Sequence, residues 1–447
     1  MADLVIRGGT VVTPEKVCVA DVAVEDGVIT AVGTELPAAA EALDARGLTV
    51  FPGVIDAHLH FNEPGHSDWE GAATGSRALA AGGGTLFFDM PLNSVPCTVS
   101  AREFDRKRAA LEAASVADFG LWGGLVPGQV GEMAELAERG VVGFKAFLCD
   151  SGLPEFPRAD DFTLSEGLRE AARLGLPVAV HAENHEITQS LTRQRIEQGR
   201  RTIRDFLEAR PVVAELEAIQ RATLLAGETG AKLHIVHVSS GRGVAVAAEA
   251  RARGVDVSIE TCPHYLCFTE EDVERLGAVA KCAPPLRSHA IQEALWDQVQ
   301  AGAIDLVASD HSPAPPEMKA GDFWRAWGGI AGVQSTLPAL LEFGHHRRGL
   351  PLERIADLLA AEPAARFRIP NRGRIAPGFA ADLTLVDLAA SFTLKPEDLR
   401  QRHPISPYLG QCFRGAVRRT IRRGQTIFAD GEPAAAGCGT LVRPLRN

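Results

Sequence analysis

The sequence predicts an α/β protein: a (β/α)8 TIM-type barrel over residues 52–370, with a small β-rich domain built from both termini, 1–51 and 371–447. Three observations predict it. Eight short apolar runs recur through the middle, each ending in polar residues and followed by a helical stretch. That alternation implies parallel strands with right-handed crossovers, and eight such units over about 320 residues fit a barrel with insertions. Both ends of the chain carry short β-rich runs with turn signals instead. Finally, no Gly-x-Gly-x-x-Gly turn follows a strand, which disfavours an open doubly wound sheet.

Taken in order, Leu4-Val5-Ile6, Thr10-Val11-Val12, Val22-Ala23-Val24 and Val28 to Val32 read as short strands. Gly8-Gly9 and Asp26-Gly27 supply the turn signals, the latter as hairpin chemistry. The barrel runs are Val54 to His58, Thr85 to Asp89, Phe119 to Gly123, Val142 to Ala146, Val178 to His181, Leu233 to His237, Val255 to Ile259 and Asp305 to Asp310. Helical patterns lie between them, as at Arg77 to Ala81, Ala214 to Glu228 and Gly243 to Arg253. Three more strands close the chain: Asp382 to Val386, Val417 to Ile421 and Gln425 to Phe428.

Composition narrows the function. With 46% hydrophobic and 23% charged residues in 447, the chain has material for a large core and is not disordered. A net charge of −11 argues against a protein built around nucleic-acid phosphates. No run approaches the roughly 18 apolar residues of a membrane span, and no export signal is visible at the start. The eight cysteines contain no Cys-x-x-Cys pair and read as reduced thiols, so the expected location is the cytoplasm.

The polar residues closing the runs carry the chemistry. His58 and His60 are two apart, so on a strand both imidazoles point to one face. Lys145, His181, His237 and Asp310 sit at or near the ends of other runs, and in a barrel those ends form one mouth. Imidazoles and a carboxylate suit zinc and its transition-metal neighbours. One strand-end histidine is more often a hydrogen-bonded core residue than a ligand; six such positions together are far more specific. Lys145 between Phe144 and Ala146-Phe147 needs a partner, a lowered pKa or covalent modification, because an ammonium is costly to bury and has no lone pair for a metal. His234, three before His237, is expected to face the other side of its strand. His311 reads as a neighbour of the ligands, His264 as structural or substrate-facing, and Gly82-Gly83-Gly84 as a turn rather than a phosphate loop.

The order His-x-His, Lys, His, His, Asp at strand ends resembles the amidohydrolase superfamily, in its cyclic-amidase branch of dihydroorotases, hydantoinases/dihydropyrimidinases and allantoinases. The resemblance covers nearly the whole chain, including Phe51 to Asp56 and Pro377 to Leu383. His60-Phe61-Asn62-Glu63-Pro64-Gly65, Asp89-Met90-Pro91-Leu92-Asn93-Ser94, Lys281 to Arg287 and Ser309-Asp310-His311-Ser312-Pro313 look most like the allantoinases of that branch. Dihydroorotases typically carry an arginine where Asn62 stands, matched to a substrate carboxylate. Asn62 therefore implies a substrate without that carboxylate, such as allantoin, a neutral hydantoin ring with a ureido arm.

The resemblance implies two divalent metal ions per subunit, zinc first, with manganese, cobalt or iron as alternatives. His58, His60 and Asp310 would hold the more buried ion, His181 and His237 the other, and a CO2-derived carbamate on Lys145 would bridge them. Asp310 and Lys145 are then the catalytic residues, and Asn93, Ser312 and Asn62 the expected substrate contacts. A homotetramer acting on a small molecule, with no nucleic-acid or membrane partner, completes the expectation. A hydantoinase or dihydropyrimidinase specificity, and a non-catalytic scaffold on the same fold, are the competing readings; the six filled ligand positions weigh against the scaffold.

Overall fold

The computed structural model describes residues 2–433 and 437–446. Met1, 434–436 and Asn447, which the predicted small-domain range includes, lie outside the described residues.

The N-terminal strands are β1 (Leu4–Val12), β2 (Val17–Glu25), β3 (Val28–Gly33), β4 (Glu41–Asp44) and β5 (Thr49–Pro52). The expected Asp26-Gly27 turn joins β2 to β3, and both residues take positive φ, 51° and 75°. Gly8-Gly9 is not a turn between two strands. It is a bulge within β1, where the pairing with β2 shifts register between Ile6 and Gly9. Gly8 has φ +65°, a conformation that kinks a strand without ending it.

The barrel strands are β6 (Val54–Leu59), β7 (Gly84–Asp89), β8 (Asp118–Leu121), β9 (Gly123–Gly124), β10 (Phe144–Phe147), β11 (Val178–His181), β12 (Leu233–Ile235), β13 (Val257–Thr261) and β14 (Leu306–Val307). They pair in parallel, and β8 and β9 are one strand interrupted at Trp122, which makes eight positions. Closure is made past the end of β14, where the Asp310 amide donates to the His58 carbonyl at 2.9 Å and the His60 amide to His311 at 2.8 Å. His58, His60, His181, His237 and Asp310 thus sit at or just beyond strand ends on the C-terminal side, while Lys145 is the second residue of β10.

Helices wrap the barrel where the sequence supplies caps. The Asp160 carboxylate accepts from the Thr163 amide at the start of Asp161–Leu174, and Gly175 ends that helix in the left-handed region. Inside the barrel, below the mouth, Trp122, Phe88 and Phe367 meet edge-to-face, and the Trp122 indole N–H donates to the Ala57 carbonyl at 3.0 Å.

The C-terminal strands β15 (Leu383–Thr393), β16 (Cys412–Arg422), β17 (Gln425–Ala429) and β18 (Glu432–Pro433) complete the second layer. They run into the N-terminal ones in a single sheet, ordered β18-β17-β16-β15-β5-β1-β2-β3, with β4 beside β1. The β5–β15 pairing joins the two ends of the chain and explains why both are β-rich. Residues beyond this sheet return to the barrel, where Leu441 bridges to Phe119. Among the described residues, no helix is long and apolar enough to cross a membrane.

Candidate active site

Five of the six predicted ligands are joined by short side-chain distances. His58 Nε2 and His60 Nε2 lie 3.3 and 3.5 Å from Asp310 Oδ1, and His181 Nδ1 lies 3.1 Å from His237 Nε2. The His58 and His237 rings are 5.4 Å apart, which links the two groups. Lys145 is fully buried beside them, its charge weighing on His58, His181 and His237, and its ammonium lies 5.2 Å from the Phe147 ring. Strand geometry places His58, Lys145 and His181. His237 and Asp310 lie past their strands and reach the site only by turning through φ 41° and 44°.

Two carboxylates missed in the sequence set the proton positions. Glu260 on β13 contacts His58 Nδ1 at 2.7 Å and His234 Nε2 at 3.0 Å. Glu183 contacts His181 Nε2 at 2.8 Å and pairs with Arg210 at 2.5 Å. Burial alone would raise both acids. His58 and His234 outweigh it at Glu260, Arg210 and His181 at Glu183, and each is held at about 2. An ionised carboxylate only accepts, so the facing nitrogens carry the protons and leave the His58 Nε2 and His181 Nδ1 lone pairs turned into the site. Burial, then the Lys145 charge, lowers the pKa of His58; burial and neighbouring cations lower His181 and His237.

Asp310 is held below the usual carboxylate range because His58, His60 and His237 outweigh its burial. Burial brings the Lys145 amine down to about 8, against the pull of Asp310 and Glu260. Its Nζ has no hydrogen-bond partner among the described residues, nor do His60 Nδ1 and His237 Nδ1. The donor set of four imidazoles, a carboxylate and a modifiable lysine fits divalent transition ions. The ligand atoms of His58, His237 and Asp310 fall within 4.8 Å of one another, so the groups that would hold two ions adjoin.

The site opens into a cavity of about 350 Å³ that His60, Asn93, His181, His237, Asp310 and Ser312 help to line. Asn93 Nδ2 stands 3.4 Å from Ser312 Oγ, so these two expected contacts share one wall. Asn62 does not line the cavity. It is buried behind it at φ 62°, its amide 3.5 Å from the Pro313 carbonyl, and supports the Ser312 segment. Lys107 steadies the Asn93 wall from within, donating to the Met90 carbonyl at 2.6 Å beside Asp89 at 3.5 Å.

The remaining histidines divide clearly. His234 does not face away from the site: it points into the barrel beneath it, bonded to Ser258 Oγ at 2.8 Å and to Glu260. The expectation failed because β12 ends at Ile235 and strand alternation no longer governs His237. With both nitrogens engaged, His234 is not a ligand. His311 accepts the Gly332 amide at 3.1 Å and lies 3.5 Å from Glu70. His264 is buried against Tyr265 outside the cavity lining. All eight cysteines are free thiols. Glu183 and Glu260 did carry a signal, being carboxylates in or beside apolar strand ends, like the charge that marked Lys145.

Known proteins resemble this chain along its whole length. Residues 49–427 match the amidohydrolase family. The chain is 65% identical over 448 residues to an allantoinase of Solibacter usitatus (strain Ellin6076), covering 100% of this chain and 98% of that protein. It is 54% identical to an allantoinase of Deinococcus radiodurans, covering 99% of each. The L-hydantoinase (dihydropyrimidinase) structure from Arthrobacter aurescens superposes with a TM-score of 0.96 at 34% identity, over 99% of this chain and 100% of that one. The dihydropyrimidinase of Brevibacillus agri NCHU1002 gives 0.92 at 30%, over 99% of each chain. Members of this family are generally metal-dependent, and the side chains gathered at the barrel mouth are of that kind. This chain belongs to the amidohydrolase family.

Proposed function

We infer that this protein is an allantoinase, a hydrolase that opens the cyclic amide of allantoin to allantoate in purine catabolism. One observation carries the reading. Metal-ligand side chains from distant segments share a cavity with Asn93 and Ser312, in a chain 65% identical along its whole length to a protein of that name. The catalytic unit is the barrel, 52–370, with 1–51 and 371–447 as the small domain.

His58, His60 and Asp310 would hold one divalent ion and His181 and His237 a second, zinc before manganese, cobalt or iron, with carbamylated Lys145 between them. Such ions, when bound, bring the pKa of water from 15.7 to about 7 and polarise the amide carbonyl. The chain's own groups do the rest. At neutral pH a fraction of the Lys145 amine, held at about 8, is uncharged. Its nitrogen can bond to the carbon of CO2 and release a proton, leaving an anionic carbamate. The Asp310 carboxylate takes the proton of the attacking water and returns it to the ring nitrogen as the C–N bond breaks. Asn93 and Ser312 offer amide and hydroxyl groups to the ring N–H and C=O, while Glu183 and Glu260 hold the His181 and His58 tautomers. The reading includes a cytoplasmic setting, supported by the free thiols, and a homotetramer, supported by the family resemblance.

The structural match to the L-hydantoinase (dihydropyrimidinase) supports a second reading, in which the substrate is a plain hydantoin or dihydropyrimidine. Steady-state kcat/KM of the metal-loaded protein for allantoin, hydantoin, dihydrouracil and dihydroorotate separates the two. Allantoin is expected to be the best substrate; a higher value for any other overturns the first reading.

A further inference from the structure

Residues 313–329 follow Ser312 and form a further part of the cavity wall, contributing Trp324, Arg325, Ala326, Trp327, Gly328 and Gly329. This stretch contains one 3-10 turn, Pro316–Lys319, and no strand. A segment of such length without regular structure is uncommon and must find partners for its backbone carbonyls elsewhere. Two lysines supply them. Lys281, buried on the neighbouring segment, donates to the carbonyls of Phe323 at 2.7 Å, Trp324 at 3.3 Å and Ala326 at 2.6 Å. The rings of Phe206 and Phe323 flank its ammonium at 4.7 and 5.2 Å. Lys319, half-buried within the wall segment itself, reaches the other way, to the carbonyls of Ala278 at 3.0 Å, Trp327 at 3.1 Å and Gly329.

An ammonium has three N–H donors, and each of these lysines spends all three on backbone. Together they tie the wall to residues 278–281 from both sides. At the rim, Trp327 donates to the Ser312 carbonyl at 3.1 Å and packs on Trp69 at 4.8 Å. In its middle the lysines act beside the Phe206 ring, which packs on Phe323 at 5.3 Å and Trp324 at 5.6 Å, and beside the Trp327 amide, which donates to the Met318 carbonyl at 2.7 Å.

We propose that Lys281 and Lys319 are positioning residues that set substrate affinity: they hold the 324–329 backbone, which lines the cavity, in the place that a bound ring and its arm require. Lys281 itself lines the cavity but its three donors go to backbone carbonyls, and Lys319 does not line it. Their loss should therefore weaken binding while leaving the chemical step intact.

The test uses the full-length, metal-loaded protein with Lys281→Met and Lys319→Met, which keep side-chain length and remove the donors. KM for allantoin is expected to rise about tenfold with kcat changed less than about threefold. Trypsin should cleave after the exposed Arg325 at least about tenfold faster as the wall detaches. Lys281→Arg, which keeps donors in a planar fork, should fall between wild type and Lys281→Met. Unchanged KM, or a fall in kcat alone, overturns the proposal even if cleavage quickens. If Lys281→Met does not fold, the half-exposed Lys319→Met decides. Allantoin as probe rests on the functional reading above. If the wild type fails to open it, that reading falls, and the KM comparison moves to the ring substrate that is opened, with the proteolysis unaffected.

Discussion

Two buried ionic clusters sit at opposite ends of the barrel, and they are finished differently. At the N-terminal end, Asp118 opens β8. Its Oδ1 accepts from Arg422 at 3.0 Å and from the Thr440 amide and hydroxyl at 3.0 and 3.1 Å. Its Oδ2 accepts from Arg372 at 2.8 Å, with Arg423 at 3.2 Å. This carboxylate fastens the small domain and the returning tail to the barrel, and its acceptor positions are filled by protein. At the mouth, Lys145 Nζ, His60 Nδ1 and His237 Nδ1 have no partner among the described residues. There too Asn62, Asn93, His237 and Asp310 are held at positive φ. A buried unpaired polar group costs about 1–3 kcal/mol, and a left-handed non-glycine residue about as much. At Asp118 the carboxylate oxygens are saturated by protein donors, even though Arg422 Nε and Arg423 Nε lack hydrogen-bond partners among the described residues, and such a carboxylate holds the fold together. A cluster left incomplete at that cost is shaped for something the chain does not itself supply.

The sharpest way to break this contrast is Asp310→Asn. Activity on allantoin should fall by about 10²–10⁴-fold in kcat/KM, as for a lost general base and ligand, while the melting temperature holds or rises. Next comes the mirror experiment, Asp118→Ala. It strands buried Arg422 and should cost about 3–5 kcal/mol in a urea titration, with activity per folded molecule unchanged. Loss of activity without loss of stability there would dissolve the distinction.

A smaller effect sharpens it. Glu260→Gln keeps the shape beside His58 but removes the anion that fixes the ring's proton, and should weaken metal affinity about 10–100-fold in competition with a chelator. The smallest concerns a finished pair on the periphery. Burial would raise Glu342, but Arg414 and Arg347 hold it from its ordinary 4.5 down to about 2. A depressed carboxylate stabilises fully above its unfolded pKa and loses that contribution as pH falls through its folded one. The melting-temperature advantage of wild type over Glu342→Gln should therefore be constant above about pH 4.5 and shrink towards pH 2.

Much of the site was legible in the chain. Eight apolar runs, six of them with charged or imidazole residues at their ends, can be read without coordinates, because burying such groups singly is too costly to be incidental. Glu183 and Glu260 carry the same signal, but one carboxylate near a strand end does not announce which ring it will face. His234 departs from strand alternation with His237 because β12 stops at Ile235. Asn62 was expected against substrate, but its neighbour Pro313 lies 251 residues away in sequence and gives no local sign. The lysine-held wall was invisible for a similar reason: carbonyls leave no trace in side-chain patterns.

The sequence by itself determined the strand–helix alternation, the bipartite small domain and the identity of the gathered side chains, because these follow from local periodicity and the cost of burying charge. Which nitrogen of each imidazole is free, which carboxylates complete the rings and where the cavity walls stand were decided only by the tertiary structure. Those features depend on distances between segments hundreds of residues apart, and chain closure sets them rather than local preference.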